Sequence, residues 1–221
     1  KNLNEYYCKA IADRGYVVFN LSYRLVPDVT VNEQLQDVAC ALKWIRENMA
    51  AYPCDTEHIL LTGDSAGGQL AAYSAVLLQS AELREIFGTV DAGMEIDALV
   101  LTSPVPYMKD GALSVYTKLL WGSDYKSKAT YNYMNLDEII DYAKFPPTYL
   151  ITSSGDSLAH DQTVKTAQLL ESKGVEYVLK DYEKHNGKSL VHVFSVLYPF
   201  DDIGSSTIDE ALDFYDSIIE K

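Results

Sequence analysis

The chain has 221 residues, 48% hydrophobic and 23% charged, with a net charge of −14; that length supports one sizeable α/β domain with its own core. The charge would repel phosphate backbones and anionic lipid, which argues against nucleic-acid and membrane-surface partners and leaves solubility or neutral substrates. Three cysteines, Cys8, Cys40 and Cys54, are odd in number and lack metal spacing, and no apolar run reaches a membrane span, so reduced, buried thiols in a cytoplasmic protein are expected.

Leu3, Tyr6, Tyr7, Ala10 and Ile11 recur at helical spacing and predict a first helix. It opens from Lys1 with no start signal or initiator Met, as if the true N-terminus lay elsewhere. The run GYVVFNLS is β-branched and aromatic and predicts a buried strand over 16–22, broken by Pro27 and Asp28. Thr30-x-x-Glu33 reads as a capping box before a helix with Val31, Leu35, Val38, Leu42, Ile45 and Met49 on one face. Ile59-Leu60-Leu61 marks a strand over 58–62, followed by a helix from Gln69 to about Gln79. Asp97–Thr102 (DALVLT) predicts another buried strand, ended by Ser103-Pro104.

Residues 103–145 are less regular and rich in Tyr and Lys, with short helical pieces over 115–120 and 136–142. Pro146-Pro147 introduces a strand over 148–152, and 161–173 is helical with Gly174 as its C-cap. A strand over 175–181 follows, and Thr207-x-x-Glu210 caps a last amphipathic helix with Ile208, Leu212, Tyr215 and Ile219 on one face. This alternation predicts an α/β fold in one domain over 1–221, a mostly parallel sheet with helices on both faces.

Ligands of such sheets bind outside the carboxyl ends of the strands. Gly63-Asp64-Ser65-Ala66-Gly67 sits at such an end and fits the GxSxG nucleophile elbow, for which a random chain of this length gives about 0.07 chance matches. The glycines flanking Ser65 must lack side chains because the turn is sharp and crowded. The turn lifts the hydroxyl into the cleft, and the Ala66 N–H faces a developing oxyanion. A plain turn with Ser65 as helix cap is the alternative.

A serine nucleophile needs a base, itself oriented by an acid, in the chain order Ser, acid, His. Asp156 lies in the loop after the 148–152 strand; Asp161, the other acid there, reads as the N-cap of the next helix. Of the four histidines, His58 lies at the far end of the nucleophile strand and His160 is too near Asp156. His192 and His185 both follow the last strand; His192 precedes an apolar stretch, whereas His185 sits among Lys, Glu and Asn. The reading is Ser65, Asp156 and His192, with His185 as the alternative base.

At these residues the chain resembles the hormone-sensitive-lipase-like esterases of the α/β-hydrolase superfamily, over essentially its whole length. Gly63-Asp-Ser-Ala-Gly-Gly68 is similar to that family's GDSAGG, and Tyr23-Arg-Leu-Val-Pro27 to its YRLAP segment. Asp37 with Ala41, Leu42 and Trp44 is similar to the helix pattern that follows it. Gly155-Asp-Ser-Leu158 resembles the DPL-type segment that carries the acid, with Ser157 for Pro, and His192-Val-Phe194 the HGF segment, with Val193 for Gly.

The resemblance implies the α/β-hydrolase fold and a serine carboxylesterase that cleaves short-chain acyl esters through an acyl-enzyme. It implies no metal and no organic cofactor, a small-molecule ester as partner, and allows a homodimer. Residues 103–145, with Tyr107, Tyr116, Trp121 and Tyr125, are the candidate cap or pocket wall, or else an aromatic patch of surface or core. An amidase, peptidase or formamidase with the same triad, or a non-catalytic small-molecule-binding scaffold, are the alternatives. The family's HGGG-type oxyanion segment has no counterpart here. In the family its strand lies between those read at 16–22 and 58–62, and omitting it would leave backbone groups unpaired on both neighbours. The expectation is a parent protein with a further N-terminal segment; oxyanion donors lost without it cost about 10²–10³ in kcat each.

Overall fold

The computed structural model describes residues 2–109 and 112–221. Its framework is a four-stranded parallel sheet in the order β1-β2-β3-β4. The strands are β1 (Leu60–Asp64), β2 (Ala98–Thr102), β3 (Thr148–Ser153) and β4 (Tyr177–Tyr182). The inner strands, ALVLT and TYLITS, are buried at every residue, which is why their centres, Ala98–Leu101 and Tyr149–Ile151, read as apolar runs. Asp64 pairs with Thr102, and Thr102 with Ile151, so the carboxyl ends of β1, β2 and β3 lie together and their loops leave from one edge.

Successive side chains alternate between two helical layers. Leu61, Leu99, Leu101 and Leu150 pack towards α2 (Val31–Asn48), α3 (Ala66–Leu77) and α6 (His160–Ser172). Leu60, Val100, Tyr149 and Ile151 pack on the opposite side, where α1 (Asn2–Ala12) and α8 (Asp202–Ile219) lie. The α2 stripe from Val31 to Met49 is buried as its spacing requires, and the Thr30 N–H donates to Glu33 Oε2 at 2.7 Å to start the helix. Before it, the Arg24 guanidinium grips Asp37 at 2.7 Å, fastening the YRLVP segment to α2.

Several expectations change. Residues 16–22 run extended but form no strand, because no neighbouring strand among the described residues bonds to them. Phe19 and Leu21 nevertheless pack with the α2–α3 layer and Tyr16 and Val18 with the α1–α8 layer, so the side-chain alternation of a strand survives without its ladder. β1 itself is half-buried throughout, bonded on its β2 side. α3 begins at Ala66, directly after the elbow, and an unforeseen helix α4 (Ala81–Phe87) follows, capped by the Ser80 hydroxyl and by Gly88 at φ +65°. Asp161 is not an N-cap: α6 starts at His160, with Ala159 before it.

α8 starts at Asp202 rather than near Thr207, whose hydroxyl donates to the Ile203 carbonyl inside the helix. Between β4 and the short α7 (Phe194–Leu197) a hairpin forms, β5 (Lys184–His185) and β6 (Lys188–Ser189). Its turn residues Asn186 and Gly187 take φ of +51° and +74°, the left-handed pair that a two-residue hairpin turn demands. The irregular 103–145 stretch contains α5 (Thr117–Trp121) and a series of short 3₁₀ turns. The cysteines are free thiols, but Cys40 is exposed and Cys8 and Cys54 are half-buried, so none is the core residue expected. Among the described residues no helix is long and apolar enough to cross a membrane.

Candidate active site

β1 passes into α3 through a single residue, Ser65, at φ +50° and ψ −116°. A non-glycine residue held there stores roughly 1–3 kcal/mol of backbone strain, which the surrounding contacts must hold. A Cβ on Gly63 would lie 2.3 Å from the Gly67 carbonyl oxygen, and one on Gly68 would lie 3.0 Å from Pro104 Cβ. At Gly67 the nearest atom would be 4.0 Å away. The crowding expected at both flanking glycines therefore falls on Gly63 and Gly68 instead. The Ser65 N–H donates to the Thr102 carbonyl at 2.9 Å, tying the elbow to the end of β2.

Three residues far apart in sequence form one hydrogen-bonded line. Ser65 Oγ is 2.9 Å from His192 Nε2, and His192 Nδ1 is 2.8 Å from Asp156 Oδ2. An ionised carboxylate only accepts, so Nδ1 carries the proton and Nε2 is left to accept from the serine hydroxyl. The Asp156 side chain is wholly buried, while that of His192 is 27% exposed. Asp156 Oδ1 also accepts from the N–H groups of Leu158 at 3.1 Å and Ala159 at 3.0 Å. Burial alone would raise the carboxyl, but hydrogen bonds from His192, the Ser103 hydroxyl and Ala159 outweigh it and hold the acid below the usual carboxylate range.

The loops bearing the acid and the imidazole are joined at Leu190. Ser153 Oγ donates to the Leu190 carbonyl at 2.8 Å, and a Cβ on Gly155 would lie 2.3 Å from that same oxygen. Immediately after the imidazole, Val193 takes the left-handed region at φ +51°, ψ +37°. A β-branched residue there costs roughly 1–2 kcal/mol, held in place by burial of its side chain among Tyr7, Ile11, Ile208 and Leu212. Among the described residues, three of the four non-glycine residues with positive φ are Ser65, Ser103 and Val193, all at this site.

The Ala66 N–H, first in α3, has no acceptor within the helix and adjoins Ser65. Asp64 lies half-buried beside the elbow; burial raises its carboxyl, opposed by a 2.9 Å hydrogen bond from Asn4 Nδ2. The other polar candidates lie elsewhere. Asp161 points into solvent, and His160 Nε2 meets Asp181 at 2.9 Å. His58 pairs with Asp55 at 2.7 Å, three residues after it and before β1 begins. His185 belongs to the hairpin and contacts Asn186 at 2.9 Å. Of the aromatic residues in 103–145, Tyr107 and Trp121 are core, the latter edge-on to Phe87, whereas Tyr116 is exposed. Among the described residues no group of three His, Cys, Asp or Glu side chains converges as a metal site would require.

Residues 2–195 match the alpha/beta hydrolase fold family. The chain is 32% identical to a crystal structure of Esterase B from Lactobacillus rhamnosis, with a TM-score of 0.90, covering 98% of this chain and 70% of that one. It is 25% identical over 185 residues to Carboxylesterase NlhH of Mycobacterium tuberculosis, covering 80% of this chain and 56% of that protein. It is 32% identical over 88 residues to Esterase LipQ of the same organism, covering 40% of this chain and 21% of that protein. The chain thus spans only part of the length of these curated relatives.

Proposed function

The chain belongs to the hormone-sensitive-lipase-like esterase family of the alpha/beta hydrolase fold, and from that premise we propose that the whole protein is a serine carboxylesterase acting on short-chain acyl esters. The observation that carries the reading is the unbroken line Ser65–His192–Asp156, with contacts of 2.9 and 2.8 Å. In this reading Ser65 Oγ attacks the ester carbonyl as its proton passes to His192 Nε2. Asp156, ionised and buried, holds the ring and stabilises the imidazolium that forms. The tetrahedral oxyanion is met by the Ala66 N–H at the start of α3. Collapse passes the proton to the leaving alcohol, and water repeats the sequence to release the acid.

Short acyl groups are favoured because one crystal structure of the similar Esterase B is inhibited by a C4-C4 tributyrin phosphonate. The outer edge of β1 and the extended 16–22 run share two helical layers without hydrogen bonds to each other, an arrangement suited to one intervening strand. In this reading the whole protein supplies that strand, and further oxyanion donors with it. The 103–145 stretch is the candidate cap over the cleft, and the three free thiols suit a reducing, cytoplasmic setting.

The test is acyl-chain profiling with nitrophenyl esters on the full-length protein and on Ser65→Ala, alongside fluorophosphonate labelling. Turnover highest on acetyl to hexanoyl esters, lost together with the label in Ser65→Ala, supports the proposal. Equal turnover by both proteins removes it.

A further inference from the structure

Asp156 sits in the short loop between β3 and α6, and that loop is tied to β4 on either side of it. Before it, the Ser154 N–H donates to the Tyr182 carbonyl at 2.9 Å, continuing the ladder between the two strands. After it, His160 Nε2 meets Asp181 Oδ2 at 2.9 Å. Asp181 stands opposite Thr152 in that ladder, so its carboxylate reaches α6 from a fixed strand.

The second tie bears on the acid directly. The His160 N–H donates to the Asp156 carbonyl at 3.1 Å. The N–H groups of Leu158 and Ala159, just before it, donate to Asp156 Oδ1 at 3.1 and 3.0 Å. The carboxylate whose Oδ2 meets His192 is therefore held by a turn that His160 closes, and a shift of that turn carries both oxygens with it. We propose that His160 is a positioning residue: by bridging the first turn of α6 to Asp181 near the end of β4, it keeps the Asp156 carboxylate aimed at His192. It acts through the backbone of residues 158–160. The inference rests on the esterase reading given above.

The bridge depends on charge. Asp161 Oδ1 lies 3.4 Å from His160 Nδ1, so the ring has a carboxylate at each nitrogen. A neutral imidazole has one N–H and can serve one of them; the imidazolium serves both. The Asp181 bond pushes the pKa of the ring up, and Asp161 adds to the rise against the opposing effect of burial. The bridge is therefore complete below the unfolded histidine value of about 6.5 and is lost as pH rises through the raised value of the folded protein. The two side chains are 26% and 36% exposed, so solvent screens the pair and the effect is a modest one.

The test measures nitrophenyl ester turnover by the full-length protein and by Ser65→Ala, Asp156→Asn, His160→Ala, His160→Gln and Asp156→Asn/His160→Ala, compared at equal pH. Below pH of about 6.5, His160→Ala is expected to lower kcat about two- to fivefold with KM unchanged. In the Asp156→Asn background it is expected to add no loss, because its route is gone. Wild-type kcat is expected to step down by a similar factor on the alkaline side, at the pH where the His160 ring resonances titrate. His160→Gln keeps a donor near the place of Nε2 and cannot titrate; it is expected to recover the loss of His160→Ala and to lack the alkaline step. A histidine of merely structural value would lower the thermal midpoint and leave kcat and its pH profile unmoved. Wild-type kcat in folded His160→Ala, an equal loss in the Asp156→Asn background, or an alkaline step that persists in His160→Gln overturns the inference. Full activity of Ser65→Ala would instead overturn the esterase reading itself, so the two failures are distinct. Where His160→Ala does not fold, Asp181→Asn decides by the same kcat, KM and pH measurements.

Discussion

The two sides of β1 differ in kind. Towards β2 it is bonded residue by residue, from Leu60 opposite Ala98 to Asp64 opposite Thr102, and beyond lie strands buried at every position. Towards 16–22 its residues are half-buried and the facing segment, though extended and correctly alternating, shares no ladder with it. Ser65 stands on this boundary, yet its turn is defined by Thr102, Pro104 and the first turn of α3, all on the bonded side. The lesson is that backbone geometry at Ser65 depends on one neighbour strand and its own helix.

The largest effect tests whether the boundary residue is the nucleophile at all. Ser65→Ala in the full-length protein is expected to lower kcat for a nitrophenyl ester by at least about 10⁴-fold, measured by release of nitrophenolate. Next come the two glycines of the elbow. Gly63→Ala drives a methyl group to 2.3 Å from the Gly67 carbonyl oxygen and is expected to cost about 3 kcal/mol or more in denaturant unfolding. Gly67→Ala, with 4.0 Å of clearance in a helix, is expected to be neutral or stabilising by up to about 1 kcal/mol. Equal losses at the two sites would break the claim that the turn is crowded from one direction.

The strands themselves give a smaller contrast. Leu101→Ala, fully buried in β2, is expected to cost about 2–5 kcal/mol. Leu61→Ala, partly buried in β1, is expected to cost less than half of that by the same chemical denaturation, since less apolar surface leaves water there. The smallest effect is one of pH. Asp156 is held below its ordinary range, so its ionised contacts contribute stability that is fully present above the unfolded carboxyl value of about 3.9 and lost as pH falls below it. The stability difference between wild type and Asp156→Asn should therefore be flat from neutral pH to about 5 and shrink on further acidification, as read from thermal midpoints. A difference that grows on acidification would reverse the assigned direction.

The same division marks what was legible in the sequence. β2, β3 and α2 are readable because a fully buried strand is continuously apolar and a helix packed on one side repeats its stripe, Val31 to Met49. Residues 16–22 carry the pattern of a strand because pattern reports burial on two faces; a ladder needs a partner, which no local pattern encodes. The start of α8 differs because Thr207-x-x-Glu210 has the pattern of a capping box, whereas the helix begins at Asp202 and runs through Gly204. Gly204 is there for packing: a Cβ would fall 2.0 Å from the Tyr198 carbonyl oxygen.

Ser65 and Asp156 stand out by motif and chain order, and the structure brings them to the same imidazole. Between His185 and His192 the sequence left a choice, and the Asn186-Gly187 hairpin explains which one reaches Ser65. The added length after β4 is used up in β5 and β6, taking His185 outward and returning the chain at Leu190.

Val193 gives the base an unexpected mooring. Its side chain packs with Tyr7 and Ile11 of α1 and with Ile208 and Leu212 of α8, so helices that bear no member of the Ser65–His192–Asp156 line anchor the ring next door. Loosening α1 or α8 would be transmitted to the imidazole as a loss of aim, well before the sheet itself gave way.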